Sequence, residues 1–159
     1  MVAKEPAVIL FLDFDGVLHP ETIGALAPGT VRSAGDFSHL HHFEKVMREY
    51  AQVEIVISSA WRETNSLETL RGYFAPDIAA RIIGVTPVMP ASLDARRERE
   101  IRTWLMEAGR ENEPLIAIDD WALLFSENCD FLFWVDPETA FDEAAAEALR
   151  QRLQRITSS

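Results

Sequence analysis

"AVILFLDFDG", residues 7–16, is an apolar, β-branched run that ends in two aspartates and a glycine. Without the alternation of a half-exposed strand or the period of an amphipathic helix, it reads as a strand buried on both faces. Such a strand sits at the centre of a sheet covered on both sides, so this one segment sets the class of the chain. Residues 16–35, "GVLHPETIGALAPGTVRSAG", hold four glycines and two prolines with no helical period. They are expected to form an excursion of turns, a flap that begins where the aspartates end.

Helical and apolar segments alternate from there on. Leu40, Phe43, Val46, Met47 and Tyr50 recur at helical spacing behind Asp36 and Ser38 as caps, and "VEIVIS" (53–58) follows as a strand. A second helix is expected from about Ser66 to Phe74, then the short strand "RIIGV" (81–85). A third runs from Asp94 to Gly109 with Ile101, Trp104, Leu105 and Ala108 inward. The strands "PLIAI" (114–118) and "FLFWV" (131–135) come next. Asp136 and Pro137 predict the cap and first turn of a final helix through about Ile156. Glu138, Asp142 and Glu143 near its start and Arg150, Arg152 and Arg155 near its end suit the helix dipole. This order predicts an α/β fold with right-handed crossovers and a mostly parallel sheet of about five strands between helices.

The 159 residues, 48% hydrophobic and 26% charged, suit one globular domain over 1–159. A lone cysteine, Cys129, excludes an intramolecular disulfide and a thiolate metal cluster, and suits a reducing compartment. The first residues show neither a cleavage pattern nor a membrane span, so a cytoplasmic protein without membrane partners is expected. A net charge of −11 opposes tight nonspecific binding to nucleic acid. It leaves room for a phosphorylated substrate, because a bound cation and a few arginines can reverse the field within one pocket.

Three apolar runs end in polar residues of matched kind. "LFLDFD" ends in Asp13 and Asp15, "EIVISS" in Ser58 and Ser59, and "LIAIDD" in Asp119 and Asp120. In a parallel sheet such ends converge on the crevice where ligands bind. Capping or turn formation explains any one of them alone. Clustered carboxylates repel one another unless a cation is present, and all-oxygen donors favour magnesium over zinc.

In order, "DFDGVLHP", "ISSAWRE" and "AIDDW" resemble the signature motifs of the haloacid-dehalogenase-like (HAD) phosphohydrolases. The likeness spans roughly Val8 to Trp121 and is greatest to the small capless HAD domains of RNA-repair proteins. It implies a Rossmann-like three-layer sandwich with no large cap domain, and Mg2+ as cofactor. It further implies Asp13 as a nucleophile that becomes an aspartyl-phosphate, with Asp15 on the same side as general acid and then base. Asp13, the Asp15 backbone carbonyl and Asp120 would hold the metal, with Asp119 beside them. Ser58, with Ser59, would bind the phosphoryl group.

The family usually places a lysine in its third motif. "DARRERE" (94–100) has none, so Arg97 is the first choice for that role, with Arg96 and Arg99 behind it; the alternative is a solvated face formed with Glu98 and Glu100. Arg62 and Trp61 are read either as an entrance clamp on the substrate or as a surface ion pair and a packed ring. His19 is read as a substrate contact or a turn residue. His39, His41 and His42 lack a third ligand type for a metal, and Trp104, Trp121 and Trp134 are expected in the core. With no room for a cap, the site should be open to large substrates such as nucleic-acid ends or phosphoproteins, or to a nucleotide. The alternative to an enzyme is a receiver-like domain that binds magnesium and phosphate, or is phosphorylated on Asp13, as a signal.

Overall fold

The computed structural model describes residues 7–21 and 37–158. Five strands form one parallel sheet: β1 (Val8–Leu12), β2 (Val53–Ile57), β3 (Ile82–Val85), β4 (Leu115–Asp119) and β5 (Leu132–Trp134), in the order β3-β2-β1-β4-β5. All five residues of β1 are buried. As the middle strand, covered on both faces, it needs apolar side chains at every position, hence the unbroken run.

Side chains of β1 alternate between two cores. Val8, Leu10 and Leu12 face α1 (Leu40–Glu49), α2 (Leu67–Arg71), α3 (Pro76–Ala79) and α5 (Glu143–Thr157), through residues such as Phe43, Met47, Leu70, Ile78 and Leu149. Ile9 and Phe11 face α4 (Arg96–Ala108) through Ile101 and Leu105. Helices on both sides make a three-layer, Rossmann-like α/β sandwich. No helix among the described residues is long and apolar enough to cross a membrane.

Several local expectations are corrected. The single helix expected over Ser66–Phe74 is instead α2, capped by the Ser66 hydroxyl, followed by the separate short α3 that begins at Pro76. Ser38 does not cap α1; His39 is the residue before it, Ser38 bonds the His39 ring, and Asp36 lies outside the described residues. In α4, Ala108 is exposed, whereas Arg97 and Glu100 join Ile101 and Leu105 on the buried face.

The final helix starts at Glu143 with Asp142 as its cap, not at Asp136–Pro137. The Asp136 carboxylate instead accepts from the Glu138 N–H in a turn. Ala140 then takes a left-handed φ of 55°, and the buried Phe141 donates its N–H to the Val17 carbonyl. That tie to the first loop delays the helix by two turns' worth of chain. The same tie shows that the expected flap is anchored at its start. Val17 and Leu18 are fully buried, and the Glu21 N–H donates to the Pro137 carbonyl. Residues 22–35 of that segment lie outside the described residues.

Candidate active site

The strand register brings the polar ends level. Leu12 pairs with Ile57 on one side and Ile118 on the other, so Asp13, Ser58 and Asp119 follow at one height. Backbone bonds extend the pairing past the strand ends: Asp13 N–H to Ile118 O at 3.1 Å, Ser58 N–H to Leu12 O at 3.0 Å, and Thr86 N–H to Ile57 O at 3.0 Å. Strand alternation continues through Ile9, Phe11 and Asp13, and through Leu115, Ala117 and Asp119. Both carboxylates therefore point toward α4, the helix that carries Arg97.

Asp13, Asp119 and Asp120 each offer one carboxylate oxygen within 4.8 Å of the others, and among the described residues they are the one such group of potential metal ligands. Asp13 and Asp119 are buried and Asp120 is half-buried. Gly16 makes the closeness possible: at φ +76° it turns the chain sharply, and a Cβ there would collide with the Asp120 carboxylate.

Arg97 answers the charge. Its Nη1 lies 2.8 Å from Asp119 Oδ2 and 3.6 Å from Asp13 Oδ1, and its Nε lies 3.5 Å from Glu100 Oε1. Burial alone would lower the Arg97 pKa, but Asp119, Asp13 and Glu100 together outweigh it and raise it. Of the three arginines considered, Arg97 is the one the structure brings to the carboxylates; Arg99 is exposed and bonds the Asp94 carbonyl.

One arginine does not discharge three acids. Burial, opposed by Arg97 and reinforced by Asp120 and Asp15, raises the Asp13 pKa well above the carboxylate range. Burial, with Asp13 nearby, pushes Asp119 up to about 8. Burial likewise pushes Asp120 up to about 6, although its hydrogen bond with Asp13 pulls the other way. Without further positive charge the cluster holds protons near neutral pH. An all-oxygen set of this kind fits a hard divalent cation, which would displace those protons.

Arg62 is corrected from a substrate contact to an internal brace. Four of its N–H groups donate to Thr86 O, Ser58 O, Ser59 O and Pro87 O, and Nη2 is ion-paired with the buried Glu100 Oε2, all at 2.9 to 3.1 Å. Nothing is left to hold a phosphate. The brace ties the ends of β2 and β3 to α4. Glu100, fully buried, joins Arg62 to Arg97 and also accepts from the Met89 N–H at 2.9 Å. The Ser59 hydroxyl accepts from the Trp61 N–H and caps the 3-10 turn Ala60–Glu63. Ser58, buried beside Asp13 on the neighbouring strand, keeps its place at the crevice.

Asp15 is not one of the three converging carboxylates, although its charge is felt at Asp13. β1 ends at Leu12, and past it the turn at Gly16 replaces strand alternation. Asp15 Oδ1 instead meets His19 Nε2 at 2.9 Å and accepts from Trp61 Nε1–H at 3.1 Å. His19 is buried, and its Nδ1 accepts from the Phe37 N–H at 3.2 Å. Trp61 packs edge-on against Phe14, Phe37 and Tyr73. His19 and Trp61 both lie within the matched motifs, yet neither local pattern nor spacing pairs them with Asp15.

Two tryptophans expected in the core are on the surface. Trp121 is 55% and Trp134 52% exposed, whereas Trp104 packs edge-on against Phe11. Trp134 closes β5, an edge strand, and its Nε1–H donates to the Asp120 carbonyl at 2.8 Å. Trp121 follows Asp120 directly and donates its backbone N–H to Asp119 Oδ1. Both indoles thus arise at the rim of the carboxylate cluster. His42 pairs with Glu143 at 3.4 Å, and the three clustered histidines form no metal-ligand group with other side chains among the described residues.

A five-stranded parallel sheet in this order, with paired aspartates after the central strand and a carboxylate pair after its neighbour, defines a small HAD-like domain. The HAD domain in Swiss Army Knife RNA repair proteins matches residues 9–146, most of the chain, and the protein belongs to that family. No curated protein and no solved structure gives a match.

Proposed function

We propose that this protein is a magnesium-dependent phosphomonoester hydrolase that works through an aspartyl-phosphate on Asp13. The observation that carries the reading is the convergence of Asp13, Asp119 and Asp120 beside Arg97 at the carboxyl end of the sheet. Asp13, directly after the central strand, is the proposed nucleophile toward a phosphorus atom in the crevice. Asp15 gives a proton to the leaving oxygen and later takes one from water. Ser58 and the Arg97 guanidinium are the candidates to hold the phosphoryl oxygens.

Asp13 and Asp120, with the Asp15 carbonyl, are the proposed magnesium ligands. Asp119 is bound on both oxygens, by Arg97 and the Trp121 N–H, and orients the pair from beside it. Magnesium there would neutralise the carboxylates and the phosphoryl oxygens.

For the substrate, the family description points to RNA repair, and the exposed Trp121 and Trp134 offer ring faces on which a base can stack next to the phosphate. A phosphorylated nucleic-acid end, or a nucleotide, is therefore the class we place first, with a phosphoprotein behind it. The absent third-motif lysine favours a stable signalling phosphate on Asp13, but Arg97 stands in a comparable charge position.

The test is phosphate release from nucleotides, 3′- and 5′-phosphorylated oligonucleotides, phosphopeptides and sugar phosphates, with magnesium or with chelator. Magnesium-dependent release that Asp13→Asn abolishes is expected. No release from any of them, or release indifferent to Asp13→Asn, would refute the hydrolase. A phospho-Asp13 that persists for hours would favour the signalling role.

A further inference from the structure

The clamp on Asp15 has a chemical consequence. A carboxylate oxygen has two lone pairs in its plane, and on Oδ1 both face donors. One is the Trp61 indole N–H at 3.1 Å, which can only donate. The other is His19 Nε2 at 2.9 Å. The Phe37 backbone N–H points at His19 Nδ1, so Nδ1 is the acceptor of the ring and Nε2 carries the hydrogen toward Asp15.

We propose that His19 and Trp61 are positioning residues that reserve Asp15 Oδ1 for hydrogen bonding and confine the transferable proton of Asp15 to Oδ2. The proposal rests on the hydrolase reading above and specifies how its acid and base are held. Asp13 attacks phosphorus, the bond from phosphorus to the leaving oxygen breaks, and the proton on Asp15 Oδ2 passes to that oxygen. In the second half, water attacks phosphorus, its proton returns to Oδ2, and the bond from phosphorus to the Asp13 oxygen breaks. Phosphate leaves, and both aspartates regain their starting states. With Oδ1 held by two donors, the carboxyl cannot rotate to present the proton elsewhere, so acid and base are the same atom in both steps.

Both donors are well fixed. Trp61 is wedged among Phe14, Phe37 and Tyr73 with ring centroids 5.3 to 5.6 Å away. His19 is 2% exposed and is locked in its turn by the bridge between residues 15 and 19.

The experiment compares single-turnover rates on two phosphomonoesters. p-Nitrophenyl phosphate has a leaving group that departs without a proton; a nucleoside monophosphate releases an alkoxide that needs one. Trp61→Phe keeps an aromatic ring and removes the donor. His19→Asn places an amide where Nδ1 was and leaves Asp15 without its second donor. For each, the loss in rate should be roughly 10- to 100-fold larger on the nucleotide than on p-nitrophenyl phosphate, with KM little changed and aspartyl-phosphate accumulating from both. His19→Gln, whose amide can donate from near the Nε2 position, should recover most of the loss. Equal losses on the two substrates, or none, would overturn the proposal, since a merely structural role does not distinguish leaving groups.

A readout free of turnover separates this from the hydrolase reading itself. Nitrogen-15 spectra of the whole protein should show His19 as the Nε2–H tautomer and a shift of the Trp61 indole N–H in Asp15→Asn. The opposite tautomer, or an unmoved indole signal, would overturn the clamp even in an active enzyme. A wild-type protein inactive on every phosphomonoester would overturn the hydrolase reading and the proton transfer with it, whatever the spectra show of the hydrogen bonds.

Discussion

Asp120→Asn should stabilise the cation-free protein at neutral to alkaline pH and destabilise it, relative to wild type, once magnesium is added. In the folded chain the Asp120 pKa is raised from 3.8 to about 6 by burial, against the pull of its bond with Asp13. A carboxyl with a raised folded pKa binds its proton more tightly when folded. Its favourable contribution is complete below pH ~4 and is lost as pH rises toward ~6, after which the deficit is constant. That rise in pKa corresponds to roughly 3 kcal/mol. Asp120 is only half-buried, so solvent screening reduces this to about 1–2 kcal/mol.

Asparagine cannot ionise and so avoids the loss. In chelator it should melt together with wild type near pH 4 and roughly 2–8 °C higher near pH 8. Magnesium at about 100 times its Kd should stabilise wild type by about 2.7 kcal/mol and the variant far less, reversing the order. Thermal melts of both proteins followed by circular dichroism, in chelator near pH 4 and pH 8 and with magnesium near pH 8, give the values. An asparagine variant less stable than wild type in chelator near pH 8, or a wild-type melting temperature indifferent to magnesium there, would refute the reasoning.

Arg62→Met should destabilise the fold by about 3–5 kcal/mol, because it leaves Glu100 buried with half its ion pairing gone and four backbone carbonyls without their donor; urea titration measures it. Where that variant remains folded, KM should follow the wild type, since no guanidinium donor faces the crevice. Gly16→Ala places a Cβ against the Asp120 carboxylate at a φ of +76°, so a loss of roughly 1–3 kcal/mol and a weaker magnesium response of the melting temperature are expected. Trp121→Ala, at an exposed position, should change stability by less than about 0.5 kcal/mol. If bases stack there, it should raise KM for phosphorylated oligonucleotides by roughly 5- to 150-fold and leave KM for p-nitrophenyl phosphate in place.

Much of this architecture could be read from local pattern. An unbroken apolar run ending at Asp13 belongs to a central parallel strand, because only a strand covered on both faces forbids polar side chains along its length. The polar ends Asp13, Ser58 and Asp119 share one level because parallel register aligns strand ends. Even the choice of Arg97 follows a local rule, its spacing of four from the buried Ile101 placing it on the inward face of α4.

Other features depend on what each residue meets across the fold, which no local window contains. Arg62 resembles a crevice residue by its place after Ser58, but it is turned inward by carbonyls of Thr86 and Pro87 and by Glu100, all distant in the chain. Trp121 and Trp134 have core-like composition around them, yet β5 lies at the sheet edge and no described element covers the rings. α5 begins at Glu143, behind its Asp142 cap, because Phe141 is held by Val17. Asp15 finds His19 through a turn and Trp61 through the approach of β2 to β1. Sequence alone determined the sheet, its polar crest and the charges placed on it, since periodicity and burial act along the chain. Tertiary structure decided which donor each charge meets, because hydrogen bonds and desolvation depend on neighbours that only folding brings together.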